Sequence, residues 1–291
     1  MEPRSDPRLG AAIGAIGEWR GRDLGVTPVS IGRDEQHLLI EADGELFMLR
    51  LASAASERPG LDATGELEVL FAAASAGVAP QVVAALPQLG CLVTRFAAGR
   101  RLTPVDLADH AVLASVVGSA RALHACPAPA VPRSVFREAR DLHRAALARG
   151  VTMPASEPAA TEAMRRVEAA VGEVPVTTTA CHGDLTRASL LLEGEQIWIV
   201  DYRWAGAGDP FEDLASLAAH LDLDGERCDD LLALYFGGAN DEHRTRLDLM
   251  RPAAEYLAAM RELGRAASPS PASIEVAERH LVRMMQGVPA T

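Results

Sequence analysis

The hydrophobic periodicity of the chain changes near residue 99, and this change constrains the fold more than any other feature. Before it, the segments HLLIEA and ELFMLRL flank Asp43-Gly44, a dipeptide typical of β-hairpin turns. GELEVLFAAASAG has the length and composition of a helix, and QVVAAL and CLVTRF have those of strands. The first part of the chain therefore predicts strands with one helix.

After Pro104 the apolar residues recur at helical spacing in VDLADHAVLASVVGSARALHA, and REARDLHRAALARG and ATEAMRRVEAAVG predict further helices. One β-rich insert interrupts them, where the apolar runs SLLL and QIWIV are joined by Glu193-Gly194-Glu195 and predict a hairpin. Ala97-Ala98-Gly99 is typical of a hinge. We predict two domains, 1–98 rich in strands and 99–291 mainly helical, with a ligand cleft between them.

Composition excludes several classes of protein. The 291 residues are 48% hydrophobic, enough for a sizeable core, and the net charge of −12 disfavours nucleic acid and anionic membrane surfaces as partners. The cysteines are widely spaced and form no C-x-x-C pair, which argues against zinc and for a reducing compartment. The N-terminal residues lack the apolar run of a signal peptide. We expect a cytoplasmic protein that binds a small molecule.

The most informative segment is ACHGDLTRASLLLEGEQIWIVDYRWAGAGDPFEDLASLAA. It sets Asp184, in H-G-D, before the predicted hairpin and Asp201, in I-V-D, at the end of its second strand. A hairpin of this length brings two such carboxylates to the same side of a cleft. Phosphoryl transfer to a hydroxyl requires one carboxylate to accept or orient the proton and another to hold Mg²⁺ against the phosphates. Two aspartates that merely end strands are the alternative, but the ordered combination with G-D-P-F-x-D-L-A favours the first interpretation.

These motifs resemble the choline/ethanolamine kinase and aminoglycoside phosphotransferase superfamily, and bacterial choline kinase-like proteins in particular. The resemblance covers nearly the whole chain, from LFMLRL through CLVTRFAAGRRLT to FEDLA. It implies an α+β, protein-kinase-like two-lobed fold, with an antiparallel sheet lobe and a mainly helical C-terminal lobe. It also implies ATP and Mg²⁺ as cofactors.

The resemblance assigns roles to particular residues. Asp184 takes the position of the catalytic base, and His182 would brace the catalytic loop. Asp201 takes the position of the magnesium ligand, while Asp213 would be a buried anchor for the site.

On the nucleotide side, Arg50 occupies the position of the family's basic residue for the phosphates, with Glu66 as its expected ion-pair partner. Gly32 belongs to the turn that covers the phosphates in the family.

Three departures from the family pattern fall on the nucleotide and metal site. Ser189 replaces an asparagine that holds a metal ion, so its hydroxyl is the candidate ligand there for metal and phosphate. Arg203 stands where an acidic residue is frequent, and a guanidinium cannot coordinate a cation. Asp34 and Glu35 stand in the phosphate-covering turn, where they either approach the phosphates or face solvent.

Two hypotheses follow from these departures. In the first, the protein is an ATP-dependent kinase that phosphorylates a hydroxyl of a small, amine-bearing metabolite resembling choline, ethanolamine or an aminoglycoside, with Arg203 taking over part of a metal ion's charge. In the second, it is a non-catalytic pseudokinase that binds a ligand or partner, closed by Arg203. Both predict that unliganded Arg203 pairs with Asp184, Asp201 or Glu35. The late helix EYLAAMRELG lacks the tryptophan usual in choline kinases, which argues against choline itself.

Overall fold

The computed structural model describes residues 7–31, 35–52, 63–172, 177–264 and 269–288. The chain divides into two compact units: a sheet unit, Met1–Arg58 with Ala79–Ala98, and a helical unit, Pro59–Val78 with Gly99–Thr291. Helix α2 (Ala63–Ser75) thus belongs to the helical unit, whereas the sequence analysis assigned all of 1–98 to the first domain.

In its described residues the sheet unit forms one antiparallel sheet with the strand order β1-β2-β3-β5-β4. The strands are β1 (Leu24–Ile31), β2 (Glu35–Ala42), β3 (Glu45–Ala52), β4 (Val82–Leu86) and β5 (Cys91–Arg95). The predicted turn is present, because Ala42 pairs with Glu45 across Asp43 and Gly44, whose φ angles are 50° and 83°. Positive φ at both turn positions is the requirement of a type I′ hairpin, which an aspartate–glycine pair meets at low strain.

One face of this sheet is covered by an element that the sequence analysis missed. Helix α1 (Pro7–Ala15) and the following turn pack Leu9, Ile16 and Trp19 on the sheet. The Trp19 ring meets the edge of Phe47 with 5.6 Å between centroids. The helix was overlooked because glycines interrupt its short sequence, PRLGAAIGA, and give it a low intrinsic propensity. Burial on the sheet outweighs that propensity.

The helical unit has helices before and after a group of short strands. After α2 these helices are α3 (Pro104–Ala108), α4 (His110–His124), α5 (Val135–Ala148), α6 (Glu157–Gly172), α7 (Pro210–His220), α8 (Gly225–Phe236), α9 (Asp241–Gly264) and α10 (Pro271–Gly287). Helix α9 packs against α5, α6, α7, α8 and α10 and is the centre of the unit. No helix in the described ranges is both long and apolar enough to cross a membrane.

The sequence predicted one helix over residues 105–125, and the structure has two. Asp106 forms a capping box with Thr103 at the start of α3, and the Asp109 side chain accepts from the Ala111 N–H to start α4. These side chains satisfy backbone donors at a new helix start, so the chain breaks at Asp109.

The short strands bring the two aspartate-bearing loops together. They are β6 (Arg100–Arg101), β7 (Thr179–Cys181), β8 (Leu190–Glu193), β9 (Gln196–Ile199) and β10 (Gly206–Gly208). The predicted hairpin is present as β8 and β9, joined at Gly194 and Glu195. β7 pairs antiparallel with β10. The loop after β7, which carries Asp184, and the loop before β10, which carries Asp201, are therefore attached to neighbouring strands.

An antiparallel sheet followed by a mainly helical part confirms the predicted α+β, protein-kinase-like fold class.

Candidate active site

The H-G-D loop leaves β7 in a conformation that only glycine fits at its centre. Gly183 has a φ of 79°, and a Cβ there would lie 2.4 Å from the Trp204 carbonyl oxygen. A side chain would meet both backbone strain and a backbone clash. The loop therefore runs directly against the chain at Trp204 and carries Asp184 on its far end.

Asp213, on α7, anchors this loop from below. Its carboxylate is fully buried and accepts hydrogen bonds from the backbone N–H groups of His182 and Gly183, both at 2.7 Å. The His124 Nε2 lies 3.0 Å from the same carboxylate. Two backbone N–H groups and one imidazole thus meet at the Asp213 carboxylate. Asp213 is a buried anchor for the loop, as the sequence predicted.

The pKa of Asp213 reflects these contacts. Burial raises the pKa, but the hydrogen bond from His124 and the electrostatic contributions of His124, His182 and Arg133 lower it, and the result is about 2. The ordinary value is 3.8. Asp213 therefore stays ionised in the folded protein at every pH above its folded pKa.

A lowered folded pKa makes the stability of the protein depend on acidity. Because Asp213 binds a proton more readily when unfolded, its contribution of about 2 kcal/mol is present above pH 4 and is lost as the pH falls toward 2. We expect the stability difference between wild type and Asp213→Asn to shrink over that range in urea unfolding. A difference that stays constant from pH 5 to about pH 2 would contradict the lowered pKa.

His182 connects the loops on either side of the hairpin. Its side chain is buried, with Nε2 3.0 Å from the Val200 carbonyl oxygen and Nδ1 3.2 Å from the Asp184 N–H. The bonds assign the neutral tautomer with the proton on Nε2. The ring also meets the edge of Tyr202 at 4.9 Å between centroids. His182 contacts the backbone just before Asp201 and the backbone of Asp184, so it sets the spacing of the two aspartates.

Ser189 is buried in the same loop. Its hydroxyl accepts from the Thr186 N–H at 3.0 Å and lies 2.9 Å and 3.1 Å from the carbonyl oxygens of Thr186 and Asp184. The hydroxyl is engaged by its own loop, and a metal ion would have to compete with those backbone contacts.

Arg203 forms an ion pair with Asp201, one of the three acids expected as its partner. Arg203 Nε lies 2.5 Å from Asp201 Oδ1, with the side chains 17% and 37% exposed respectively. Both residues lie beyond the strand, because β9 ends at Ile199, and Asp201 has a φ of 69°. The left-handed residue turns the chain, and Arg203 reaches back to Asp201 across that turn.

The least expected residue of the site is Arg261, on α9. Its guanidinium donates to Asp184 Oδ1 at 2.7 Å, to the Gly183 carbonyl at 2.9 Å, and through Nε and Nη2 to Glu138 Oε1 at 2.8 and 2.6 Å. It lies over the Trp204 ring at 4.1 Å from the centroid. The side chain is 5% exposed. Asp184 therefore contacts a buried guanidinium that four hydrogen bonds hold in place.

The contacts continue into a row of alternating charges. Glu138 also pairs with Arg133 at 3.2 Å, and Arg133 pairs in turn with Glu212. We call the row Asp184–Arg261–Glu138–Arg133–Glu212 the charge row. Its members are less than 9% exposed except Asp184, whose side chain is 27% exposed. Removing one member leaves a buried charge uncompensated, so the row behaves as a unit.

Over residues 25–250 the sequence matches the profile of the phosphotransferase enzyme family. The chain belongs to this family.

Solved structures of phosphotransferases share its fold. A choline/ethanolamine kinase family protein from Mesorhizobium loti has a TM-score of 0.77 at 24% identity, covering 97% of this chain and 94% of that chain. Choline kinase LicA from Streptococcus pneumoniae has a TM-score of 0.78 at 12% identity, covering 96% and 98%. A thermostable aminoglycoside phosphotransferase mutant has a TM-score of 0.69 at 16% identity, covering 97% and 99%.

Among curated proteins, LicA of Haemophilus influenzae is 30% identical over 69 residues, 24% of this chain. The chain spans about a quarter of the length of that relative, 26%. The structural likeness shows the fold, and the family profile shows the phosphotransferase family.

The remaining predicted residues of this phosphotransferase-family chain are those that the resemblance assigns to the nucleotide. Arg50 lies on β3 in the sheet unit and Glu66 on α2 in the helical unit, so their pairing stays a prediction. Gly32 and Asp34 lie outside the described residues. Glu35 starts β2 and is 4% exposed, with Oε2 3.9 Å from His37 Nε2, so the solvent-facing alternative was wrong for this residue.

Sequence reasoning missed the charge row, although one signal was available. Arg261 lies four residues after Leu257, on the apolar face of α9, and Glu138 lies three residues after Val135, on the apolar face of α5. A charged residue at a core position of a helix requires a buried partner. The pattern therefore indicated that Arg261 and Glu138 each require a buried partner of opposite charge. It did not show that the two residues pair with each other.

Proposed function

We propose that this chain is an ATP-dependent phosphotransferase that phosphorylates a hydroxyl of a small molecule. The observation that carries the proposal is the joined pair of loops, since β7 pairs with β10 and His182 bonds to both the Asp184 and the Val200 backbone. These backbone contacts support a site in which Asp184 and Asp201 act from the two ends of one hairpin. Membership of the phosphotransferase enzyme family supports the same reaction class.

In this proposal Asp184 is the catalytic base. As the acceptor oxygen bonds to the γ-phosphorus and the bond to the leaving ADP breaks, the hydroxyl proton passes to the Asp184 carboxylate. Arg261 holds that carboxylate through Oδ1, and the Gly183 backbone holds its position along the loop. His182 is buried and acts by spacing the loops rather than by touching substrate.

The residues present fit a magnesium ion, because they offer the oxygen donors that Mg²⁺ prefers. Asp201 would hold the ion, with the Ser189 hydroxyl as a second ligand once it releases a backbone bond. Bound Mg²⁺ would neutralise phosphate charge at this position. Arg203 already lies on Asp201 and can carry part of that charge, which suits a site with one ion.

For the nucleotide, we propose that Arg50 contacts the phosphates of ATP, with Glu66 and Gly32 as further nucleotide-binding residues. The LicA structure in complex with AMP supports adenine nucleotide use. The acceptor proposed from the resemblance is a small hydroxyl compound of the choline, ethanolamine or aminoglycoside type. A pseudokinase is the second candidate, and the Arg203–Asp201 ion pair is the observation that favours it.

Thermal unfolding with ATP, with and without Mg²⁺, tests this function. A ligand that binds only the folded state at a hundred times its Kd stabilises by about 2.7 kcal/mol. We expect Mg·ATP to raise the Tm of the wild type, and Asp201→Ala to lose most of the magnesium-dependent part. Arg203→Glu with Ser189→Asn should enlarge that part, because it adds two oxygen ligands.

The outcome separates the two candidates. A Tm insensitive to Mg·ATP in the wild type, restored by the double variant, would favour the pseudokinase. Asp201→Ala with an unchanged magnesium effect would show that another residue holds the ion. Asp248→Ala, which removes an exposed aspartate on α9, is the matched control and should leave the magnesium effect intact.

A further inference from the structure

A pocket in the helical unit opens beside Asp184, and among the described residues its walls carry no Phe, Tyr or Trp side chain. One wall is α7, which contributes Glu212, Ser216 and His220 at successive turns. The facing wall is α9, with the small or apolar Ala254, Leu257 and Ala258 and the charged Arg261. Quaternary ammonium groups are recognised by aromatic faces, so this pocket lacks the chemistry that such a group requires.

The aromatic ring that Arg261 contacts is already covered on that face. Trp204 has the guanidinium of Arg261 over its ring at 4.1 Å. That guanidinium makes four hydrogen bonds, to Asp184, to Gly183 and two to Glu138. A planar cation held on three sides and 5% exposed is a fixed part of the wall and not a mobile side chain.

The acidic side chains beside the pocket are paired with arginines. The carboxylates of Asp184 and Glu138, which could attract a cationic acceptor, each bind Arg261. Burial lowers the pKa of Arg261, but the charges of Glu138 and Asp184 raise it, and the net direction is upward, so the side chain stays charged. Burial lowers the pKa of His220, which keeps this wall residue neutral near pH 7.

We propose that the acceptor of this site carries no quaternary ammonium group next to its reacting hydroxyl. Arg261 is the specificity-determining residue that excludes a quaternary ammonium, because it occupies both the aromatic face and the carboxylates that would bind one. The inference rests on the proposed function for the identity of the site, and it narrows the acceptor away from the choline class.

Choline and neohexanol, its neutral analogue with a tert-butyl group in place of trimethylammonium, test the inference. The two have the same shape, so the ratio of their Kd values measures the effect of charge alone. We expect the wild type to bind neohexanol about tenfold or more tighter than choline, by calorimetry or ligand-observed NMR. A wild type that binds choline as tightly as neohexanol overturns the inference.

The matched variant is Arg261→Met with Glu138→Gln, which uncovers Trp204 without leaving Glu138 as an unpaired buried charge. The ratio of the choline Kd to the neohexanol Kd should fall roughly thirtyfold in this variant. This is the gain in affinity expected from one desolvated cation–π contact. Circular dichroism checks that it folds, and Arg261→Gln with Glu138→Gln replaces it if it does not. Arg279→Met, which removes an exposed arginine on α10, should leave the ratio unchanged.

Every outcome decides the inference. If neither probe binds the wild type, a gain of choline binding in the variant supports it and no gain overturns it. The probes are measured without nucleotide, so failure of the proposed phosphotransfer appears separately, as a Tm that does not respond to Mg·ATP.

Discussion

Asp184→Asn is expected to lower the rate of phosphoryl transfer by about a hundredfold to ten-thousandfold, the range typical of losing a general base. The amide oxygen still accepts a hydrogen bond from Arg261, so the loop should keep its position while the proton acceptor is lost. ADP release in the presence of Mg·ATP and a panel of small alcohols measures the rate, and Mg·ATP affinity should change little.

The control is Asp248→Asn, the same substitution at an exposed position on α9. It should leave both the rate and Mg·ATP affinity as in the wild type. An Asp184→Asn enzyme with its rate retained would show that a different residue accepts the proton.

Asp213→Ala is expected to destabilise the protein by about 3–5 kcal/mol, because it removes a fully buried carboxylate and leaves its buried hydrogen-bond partners unsatisfied. The N–H groups of His182 and Gly183 and the ring of His124 would all lose their acceptor in a dry environment. Since whole domains are stable by only about 5–15 kcal/mol, the loss should be visible as a lower urea midpoint.

The exposed counterpart Asp248→Ala should change stability by no more than about 0.5 kcal/mol. A loss below about 1 kcal/mol in Asp213→Ala would mean that the H-G-D loop is held chiefly by something other than this carboxylate. Far-UV circular dichroism distinguishes a loosened loop from a lost helix.

Local sequence signals were enough for the elements whose geometry is set within a few residues. Asp43-Gly44 and Glu193-Gly194-Glu195 predicted their hairpins because turn chemistry and alternation act over short distances. The break at Asp109 was missed because the apolar pattern runs on without interruption. The Asp106 and Asp109 side chains cap two successive helix starts, and this capping outweighs the pattern. α1 was missed because its stability comes from the sheet it covers.

The candidate site divides in the same way. An acidic partner for Arg203 was predictable because a half-buried arginine requires one, but the sequence left Asp184, Asp201 and Glu35 open and the structure shows Asp201. The contact of Arg261 with Asp184 joins residues 77 positions apart. It depends on how α5, α7 and α9 pack, which is a tertiary property that spacing along the chain does not contain.

The charge row has a consequence for how this site can evolve. Replacing only one of Arg261 and Glu138 leaves the other as an unpaired buried charge and lowers the stability of the protein. Evolution by single substitutions therefore passes through a destabilised intermediate. Homologues that accept cationic substrates should therefore have exchanged both residues together, and the two positions should covary in an alignment of the family. Recombination that unites α5 of one such lineage with α9 of another should give poorly folding chimaeras.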